Sequence, residues 1–314
     1  MGKKVSPING VKIGHQTRCE DGTGVTAIIF DKPVKAVAAF TGSASSTRQF
    51  DSLFLGHSVR KIDAICLTGG SAFGLGSGIG VQLYMKEQGR GLLIRNRIRV
   101  PIVPTAAIFD LLVGKESYPD VEDGYLAAAS AKEEFETGSV GAGTGATAGK
   151  IFGYERATKG GFGAAWKRVG DVTVFALVVV NNFGNVLGSS GEIIAGIRGE
   201  KEFVNLSETA PFYSPLENTN LVVIITDGTM EREDLLIAGR IASGSFGRFF
   251  SPPSSSADGD VLIMVSAGEK RVLPDVAGYA AIEVTGRAIE DAISSASSCG
   301  NVPSVSDWRR EVGT

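Results

Sequence analysis

The sequence predicts an α+β layered domain, and three observations carry that prediction. Apolar, β-rich runs fall in clusters. Patterns with helical periodicity separate those clusters in pairs. Glycine is crowded into the joints between them. Strands and helices do not alternate one for one, so a simple parallel sheet with crossover helices is not expected.

Taken in order, residues 34–40 and 62–67 are β-rich apolar runs. Gly69-Gly70-Ser71-Ala72-Phe73-Gly74 follows the second, and a helical pattern continues to about Lys86. Residues 121–135 read as an amphipathic helix. Two glycine-rich, strand-like stretches come next, 139–151 and 160–180, and residues 172–180 are the most strand-like run in the chain. Residues 199–218 are polar and irregular, with Pro211 and Pro215, and read as an exposed loop long enough to suggest function or processing. An abrupt β run, 219–226, breaks out of that loop. A helix over about 231–250, a strand over 261–266 opened by Asp258-Gly259-Asp260, and a last helix over 274–295 complete the pattern.

Composition narrows the chemistry. The 314 residues include 42 Gly, 2 His and 3 Cys, with a formal charge of −3 from 31 basic and 34 acidic side chains. Glycine is about 13% of the chain, roughly twice average usage. His15 and His57 are too few for a three-histidine zinc site, and Cys19, Cys66 and Cys299 lie too far apart in sequence for a CxxC pair. No metal or cofactor is expected. The charge balance, without a basic block, argues against nucleic acid as a partner. Residues 175–180 are too short to span a membrane, and no apolar leader follows Lys3 and Lys4. Met1-Gly2…Ser6 matches a short acylation pattern by chance frequency, and Asn205-Leu206-Ser207 is a sequon without consequence in a cytosolic protein. Three cysteines without an export signal predict a reducing, cytoplasmic setting.

Several familiar motifs fail on spacing. In Gly145-Ala146-Thr147-Ala148-Gly149-Lys150 a phosphate loop would need glycine at Thr144 and a hydroxyl at Ile151. Residues 74–80 are glycine-dense but lack the dinucleotide-binding spacing, and close packing of backbones is the simpler reading. Gly188-Ser189-Ser190-Gly191 is not a nucleophile elbow, and neither histidine has a catalytic context.

The junction Glu217-Asn218-Thr219-Asn220-Leu221 admits two readings. One is a loop entering a strand. The other is a self-cleaving bond. Cutting after Asn218 gives Thr219 a free α-amine, and a chain-terminal amine ordinarily titrates at about 7.7–8.0, which suits it to act as base for its own hydroxyl. Such a nucleophile needs no histidine. It does need donors for the tetrahedral oxyanion, a cation, and carboxylates that orient the amine.

Six segments in order resemble one family. They are Ile8-Asn9-Gly10-Val11-Lys12-Ile13-Gly14-His15; Cys66-Leu67-Thr68-Gly69-Gly70-Ser71-Ala72-Phe73-Gly74-Leu75; Gly141-Ala142-Gly143-Thr144-Gly145-Ala146 with Ala148-Gly149-Lys150; Gly161-Phe162-Gly163-Ala164-Ala165; Asn218-Thr219-Asn220-Leu221 through Thr226-Asp227; and Asp258-Gly259-Asp260. The chain resembles the N-terminal-nucleophile amide hydrolases that include L-aminopeptidase/D-alanine esterase-amidases, β-peptidyl aminopeptidases and the nylon-oligomer (6-aminohexanoate oligomer) hydrolases. The resemblance implies a single domain, 1–314, folded as a four-layer αββα sandwich. It implies self-cleavage into an α chain, 1–218, and a β chain, 219–314, held in a homotetramer of such heterodimers.

The same resemblance assigns roles. Thr219 is the nucleophile, and Lys150 lowers the pKa of its amine or hydroxyl. Asn182, or its neighbour Asn181, donates to the oxyanion, and Asp258 and Asp260 orient the nucleophile and a substrate amine. The Asp-Gly-Asp triplet leans toward the nylon-hydrolase branch. Two positions depart from the pattern: Phe109, on the substrate-binding side, lacks the hydroxyl of the family's frequent Tyr, and Asn220 replaces a second Thr. The implied substrate is a small amide or oligoamide, hydrolysed through an acyl-enzyme. An acyltransferase of the ornithine acetyltransferase type and an uncleaved, non-enzymatic binding protein are the rival readings.

Overall fold

A computed structural model describes residues 2–40, 42–206, 218–256 and 258–313. Its centre is a nine-stranded sheet folded over on itself. Strand order is Gly161–Val169, Val172–Val180, Leu221–Thr229, Val261–Arg271, Thr23–Phe40, Lys61–Thr68, Thr105–Ala107 and Ser46–Arg48. Val11–Arg18 pairs with the first half of Thr23–Phe40. That 18-residue strand is the fold line. Residues 25–29 pair with Lys61–Thr68, residues 35–40 pair with Val261–Arg271, and the register shifts between Ile29 and Val34.

Alternation along each strand sorts the apolar residues into three cores. Ile13, Ile28, Ile65 and Leu67 from one half of the sheet meet Phe175, Leu177, Val223, Ile225 and Ile263 from the other. The opposite faces turn outward. Ala176, Val178, Val222, Ile224 and Met264 pack against Leu235, Ala238, Val284 and Ala288 of helices Arg232–Ala242 and Pro274–Ser294. Val25, Ala27, Ala64 and Cys66 pack against Val81, Met85 and Ala127 of helices Ser77–Glu87 and Val121–Ala129. The result is helix, sheet, sheet, helix: the αββα sandwich. The strand Val172–Val180 is buried along its whole length because both faces are covered. Each fully buried aliphatic side chain there contributes roughly 1.5–3 kcal/mol.

The glycine-dense stretch at 74–80 serves packing. A Cβ on Gly78 would lie 2.1 Å from the Thr105 hydroxyl, and one on Gly80 would lie 1.9 Å from the Val121 carbonyl. The helix Ser77–Glu87 therefore rests directly on a strand and on its neighbouring helix.

Other elements differ from the sequence pattern. The predicted helix at 121–135 ends at Ala129, and a strand Glu134–Thr137 follows. Phe135 and Thr137 are buried between exposed Glu134 and Glu136, so the period changes there from helical to two. The helix start is sound: Asp120 accepts from the Glu122 and Asp123 backbones, and the Asp123 side chain reaches back to Asp120. The stretch 139–151 forms tight turns, Gly141–Gly143 and Lys150–Phe152, around a two-residue strand. Gly141 and Gly149 take positive φ, which a regular strand does not permit. The stretch 160–180 is a hairpin turning at Gly170-Asp171. The helix expected over 231–250 is two helices, Arg232–Ala242 and Gly244–Phe249. Within the loop expected at 199–218, residues 207–217 lie outside the described residues. A C-terminal helix, Val305–Val312, escaped the sequence reading.

Candidate active site

Thr219 sits just ahead of the central strand Leu221–Thr229 and is 5% exposed, between Asn218 and Asn220, which are also buried. The neighbouring strand holds it in register. Asn218 bridges to Asp258 in parallel fashion. The Gly259 N–H donates to the Asn218 carbonyl at 2.8 Å, and the Val261 N–H donates to the Asn220 carbonyl at 3.1 Å. The Thr219 N–H donates to the Asn181 carbonyl at 3.1 Å. The Thr219 hydroxyl donates to the Asn218 carbonyl oxygen at 2.6 Å. Two donors thus converge on the carbonyl of the Asn218–Thr219 peptide, and polarise it in a site closed to bulk water.

Gly259 makes this approach possible. A Cβ there would lie 2.5 Å from the Thr219 Oγ and 2.9 Å from the Ala44 carbonyl oxygen. Glycine in Asp258-Gly259-Asp260 leaves room for the hydroxyl as well as supplying the N–H donor.

Lys150 is buried, held in the turn that follows Gly149. Its Nζ donates to the Asn181 Oδ1 at 2.8 Å and to the Thr147 carbonyl at 3.1 Å. The Asn181 amide nitrogen donates to the Phe109 carbonyl at 3.2 Å, and the Asn181 N–H donates to the Asn220 Oδ1 at 3.1 Å. Asn181 therefore links Lys150, Phe109, Asn220 and Thr219. Asn182 lies one step away: its amide nitrogen donates to the Asn185 carbonyl at 2.9 Å, and its Oδ1 accepts from Asn220 at 3.1 Å. Phe109 joins the cluster through its backbone carbonyl.

The two aspartates complete the network. Asp260 Oδ1 accepts from the Asn220 N–H at 2.7 Å and from the Asn220 amide at 3.0 Å. Asp258 Oδ2 accepts from the Ser255 N–H at 2.6 Å. Burial pushes the Asp258 carboxyl above its ordinary value. Burial, and then the charge of Asp258, push Asp260 up to about 7, against the pull of Asn220 and the Lys150 ammonium. Asp260 thus titrates near neutrality beside a second carboxyl that is also raised, with the Lys150 ammonium pulling both down.

The sequence-predicted residues Thr219, Asn218, Lys150, Asp258, Asp260, Asn182 and Phe109 all converge on this end of the sandwich. Gly259 and Thr147 were not singled out by sequence. The glycine between two site aspartates was the available signal for Gly259; Thr147 left none. The histidines are elsewhere. His15 bonds Thr26 and the Glu136 carbonyl, and desolvation lowers its pKa to about 4. His57 faces Asp51. Among the described residues no group of three or more His, Cys, Asp or Glu is arranged to hold a metal, and no helix is long and apolar enough to cross a membrane.

Comparison with known proteins defines the class first. L-aminopeptidase D-Ala-esterase/amidase from Ochrobactrum anthropi, described as a variant of the Ntn hydrolase fold, superposes with a TM-score of 0.74 at 19% identity, covering 99% of this chain and 95% of that one. The sandwich is that of the N-terminal-nucleophile hydrolases. The sequence profile of Peptidase family S58 matches residues 4–303, and the chain belongs to that family. An uncharacterized aminopeptidase of Mycobacterium leprae is 30% identical, over 95% of this chain and 92% of its own. The 6-aminohexanoate-oligomer endohydrolase of Agromyces sp. is 31% identical, over 83% of this chain and 74% of its own. This protein is an amide-bond hydrolase.

Proposed function

We propose that the enzyme matures by cutting its own Asn218–Thr219 bond and then uses Thr219 as its catalytic nucleophile. The observation that carries the reading is the Asn218 carbonyl, which accepts from both the Thr219 hydroxyl and the Gly259 N–H inside a buried site. The Thr219 Oγ attacks that carbonyl carbon, an N→O acyl shift yields an ester, and water releases residues 1–218 from 219–314. The new α-amine of Thr219 then takes the proton of its own hydroxyl as the Oγ attacks a substrate amide. Water resolves the acyl-enzyme.

In this reading the Lys150 ammonium holds negative charge at the site and, through Asn181, orders the neighbouring amides. Asn182 or Asn181 donates to the oxyanion once Thr219 has become a terminus. Asp258 and Asp260 draw in a cationic amine, either that of Thr219 or that of the substrate. Substrates of this kind have an amide near an amino group: short peptides cleaved from the amino end, or ω-amino oligoamides. The paired aspartates favour the second. The two fragments stay together as one folded unit, 1–314, assembled as a homotetramer of such pairs. A reducing, cytoplasmic setting fits the three free thiols.

The test is a substrate panel of L-aminoacyl amides, D-aminoacyl amides, β-dipeptides and 6-aminohexanoate oligomers, run beside the Thr219→Ala variant. Release of amine from at least one class by the wild type, and from none by an uncut Thr219→Ala, supports the proposal. Turnover by Thr219→Ala removes it.

A further inference from the structure

Cys19 and Cys299 are 280 residues apart in sequence, yet their sulfur atoms lie 3.4 Å apart. Neither takes part in the Thr219 cluster. Cys19 is exposed, in the turn closed by the Gly22 N–H donating to the Cys19 carbonyl at 3.2 Å. Cys299 is buried, in a second turn, where Cys299 and Val302 exchange backbone hydrogen bonds at 3.2 Å. The Cys299 thiol also points at the Cys19 carbonyl oxygen, 3.1 Å away. Both backbones are thus fixed with the thiols in contact. A disulfide, about 2.05 Å long, needs the sulfurs to close by only about 1.4 Å.

We propose that Cys19 and Cys299 form a reversible disulfide that ties residues 1–218 to residues 219–314. The bond itself depends only on this geometry. Its role as a clasp between two fragments rests on the self-cleavage proposed above. The oxidant is a small disulfide such as oxidised glutathione. The exposed Cys19 thiolate attacks one sulfur of the glutathione disulfide, and one glutathione thiol leaves. The Cys299 thiolate then attacks the Cys19 sulfur of the mixed disulfide, and the second glutathione thiol leaves. The two cysteine protons end on the two glutathiones, so the exchange balances.

The surroundings favour this order. Burial pushes the Cys299 thiol up to about 11, so it is seldom a thiolate and the exposed Cys19 makes the first attack. The buried Lys159 lies close enough to act electrostatically on both sulfurs, and its ammonium is anchored on the Thr144 and Ala146 carbonyls at 2.6 and 2.7 Å. Burial lowers the Lys159 pKa to about 8, so near pH 7 a thiolate forming at Cys299 meets an ammonium. Cys66, the third cysteine, is buried in the sheet and hydrogen-bonded to Ser77, away from this pair.

The experiment counts thiols. Wild-type protein is equilibrated with oxidised glutathione, freed of it, denatured, alkylated with iodoacetamide and weighed by mass spectrometry. The expected result is one alkylation, at Cys66, with no glutathione adduct, and three alkylations after prior reduction. Cys299→Ser is expected to retain one glutathione on Cys19. Three alkylations in the oxidised wild type, or a lasting glutathione adduct on its Cys19, would overturn the proposal. The same count on uncut Thr219→Ala reads the bond independently of cleavage. On a non-reducing denaturing gel the cut, oxidised protein runs as one species that separates into two on reduction. Two species without reductant, from a sample with one alkylation, would also overturn it.

Discussion

Gly259→Ala probes the account where its geometry is tightest. The new methyl carbon would lie 2.5 Å from the Thr219 Oγ, 2.9 Å from the Ala44 carbonyl oxygen and 2.9 Å from the Ser45 Cα. Ordinary contact begins at 3.4 Å, so the hydroxyl and the Gly259 backbone must separate by about 0.9 Å. Overpacking of that size costs about 1–3 kcal/mol, which a domain stabilised by about 5–15 kcal/mol survives. The chemistry does not tolerate it so well. Displacing reacting groups by about 1 Å costs on the order of 100-fold in rate. The assay follows uncut chain by denaturing gel after synthesis, with circular dichroism to show that the variant is folded. A folded Gly259→Ala that matures at the wild-type rate would refute the claim that the Asp258-Gly259-Asp260 turn positions the Thr219 hydroxyl.

Three further outcomes follow from the same geometry. Lys150→Met should fold and lose about 100- to 1,000-fold in turnover, as loss of one electrostatic stabiliser does, with kcat falling more than KM rises. Asp260 is raised to about 7 from an ordinary 3.8, so between those values the folded chain binds more protons than the unfolded one. Its contribution to stability is complete below the unfolded value and is lost as pH rises toward about 7. Thermal midpoints across that range should therefore fall less steeply with pH in Asp260→Asn than in the wild type. Ile225→Ala, at a fully buried position between the two halves of the sheet, should lower unfolding free energy by about 2–5 kcal/mol in urea titration, without moving the site residues.

The parts of this molecule legible in sequence are those with a strong local signal. The run after Thr219 is apolar, follows a polar stretch and forms the central strand, so the place of Thr219 just ahead of a strand could be read directly. The long strand Thr23–Phe40 could not be read whole. Asp31-Lys32-Pro33 interrupts its apolar pattern, because there the strand passes from one half of the folded sheet to the other. The stretch 139–151 misled because its glycines and small residues carry little periodicity, and only positive φ at Gly141 and Gly149 shows that they turn. Side-chain direction was the least accessible level. Asn181 and Asn182 are adjacent and alike, yet just past the end of the strand Val172–Val180 their side chains take different partners. The Asn181 side chain meets Lys150, and that of Asn182 meets Asn185 and Asn220. Nor does charge counting in sequence reveal that Asp260 titrates near neutrality; that follows from burial beside Asp258.

The central claim is that Thr219 becomes a chain terminus. Intact-mass measurement with N-terminal sequencing of active, purified, reduced enzyme tests it most directly. The account predicts two fragments in proportion to their lengths, about 23 and about 10 kDa, the smaller beginning Thr219-Asn220-Leu221. A single uncut chain of 32.7 kDa in fully active protein would contradict it.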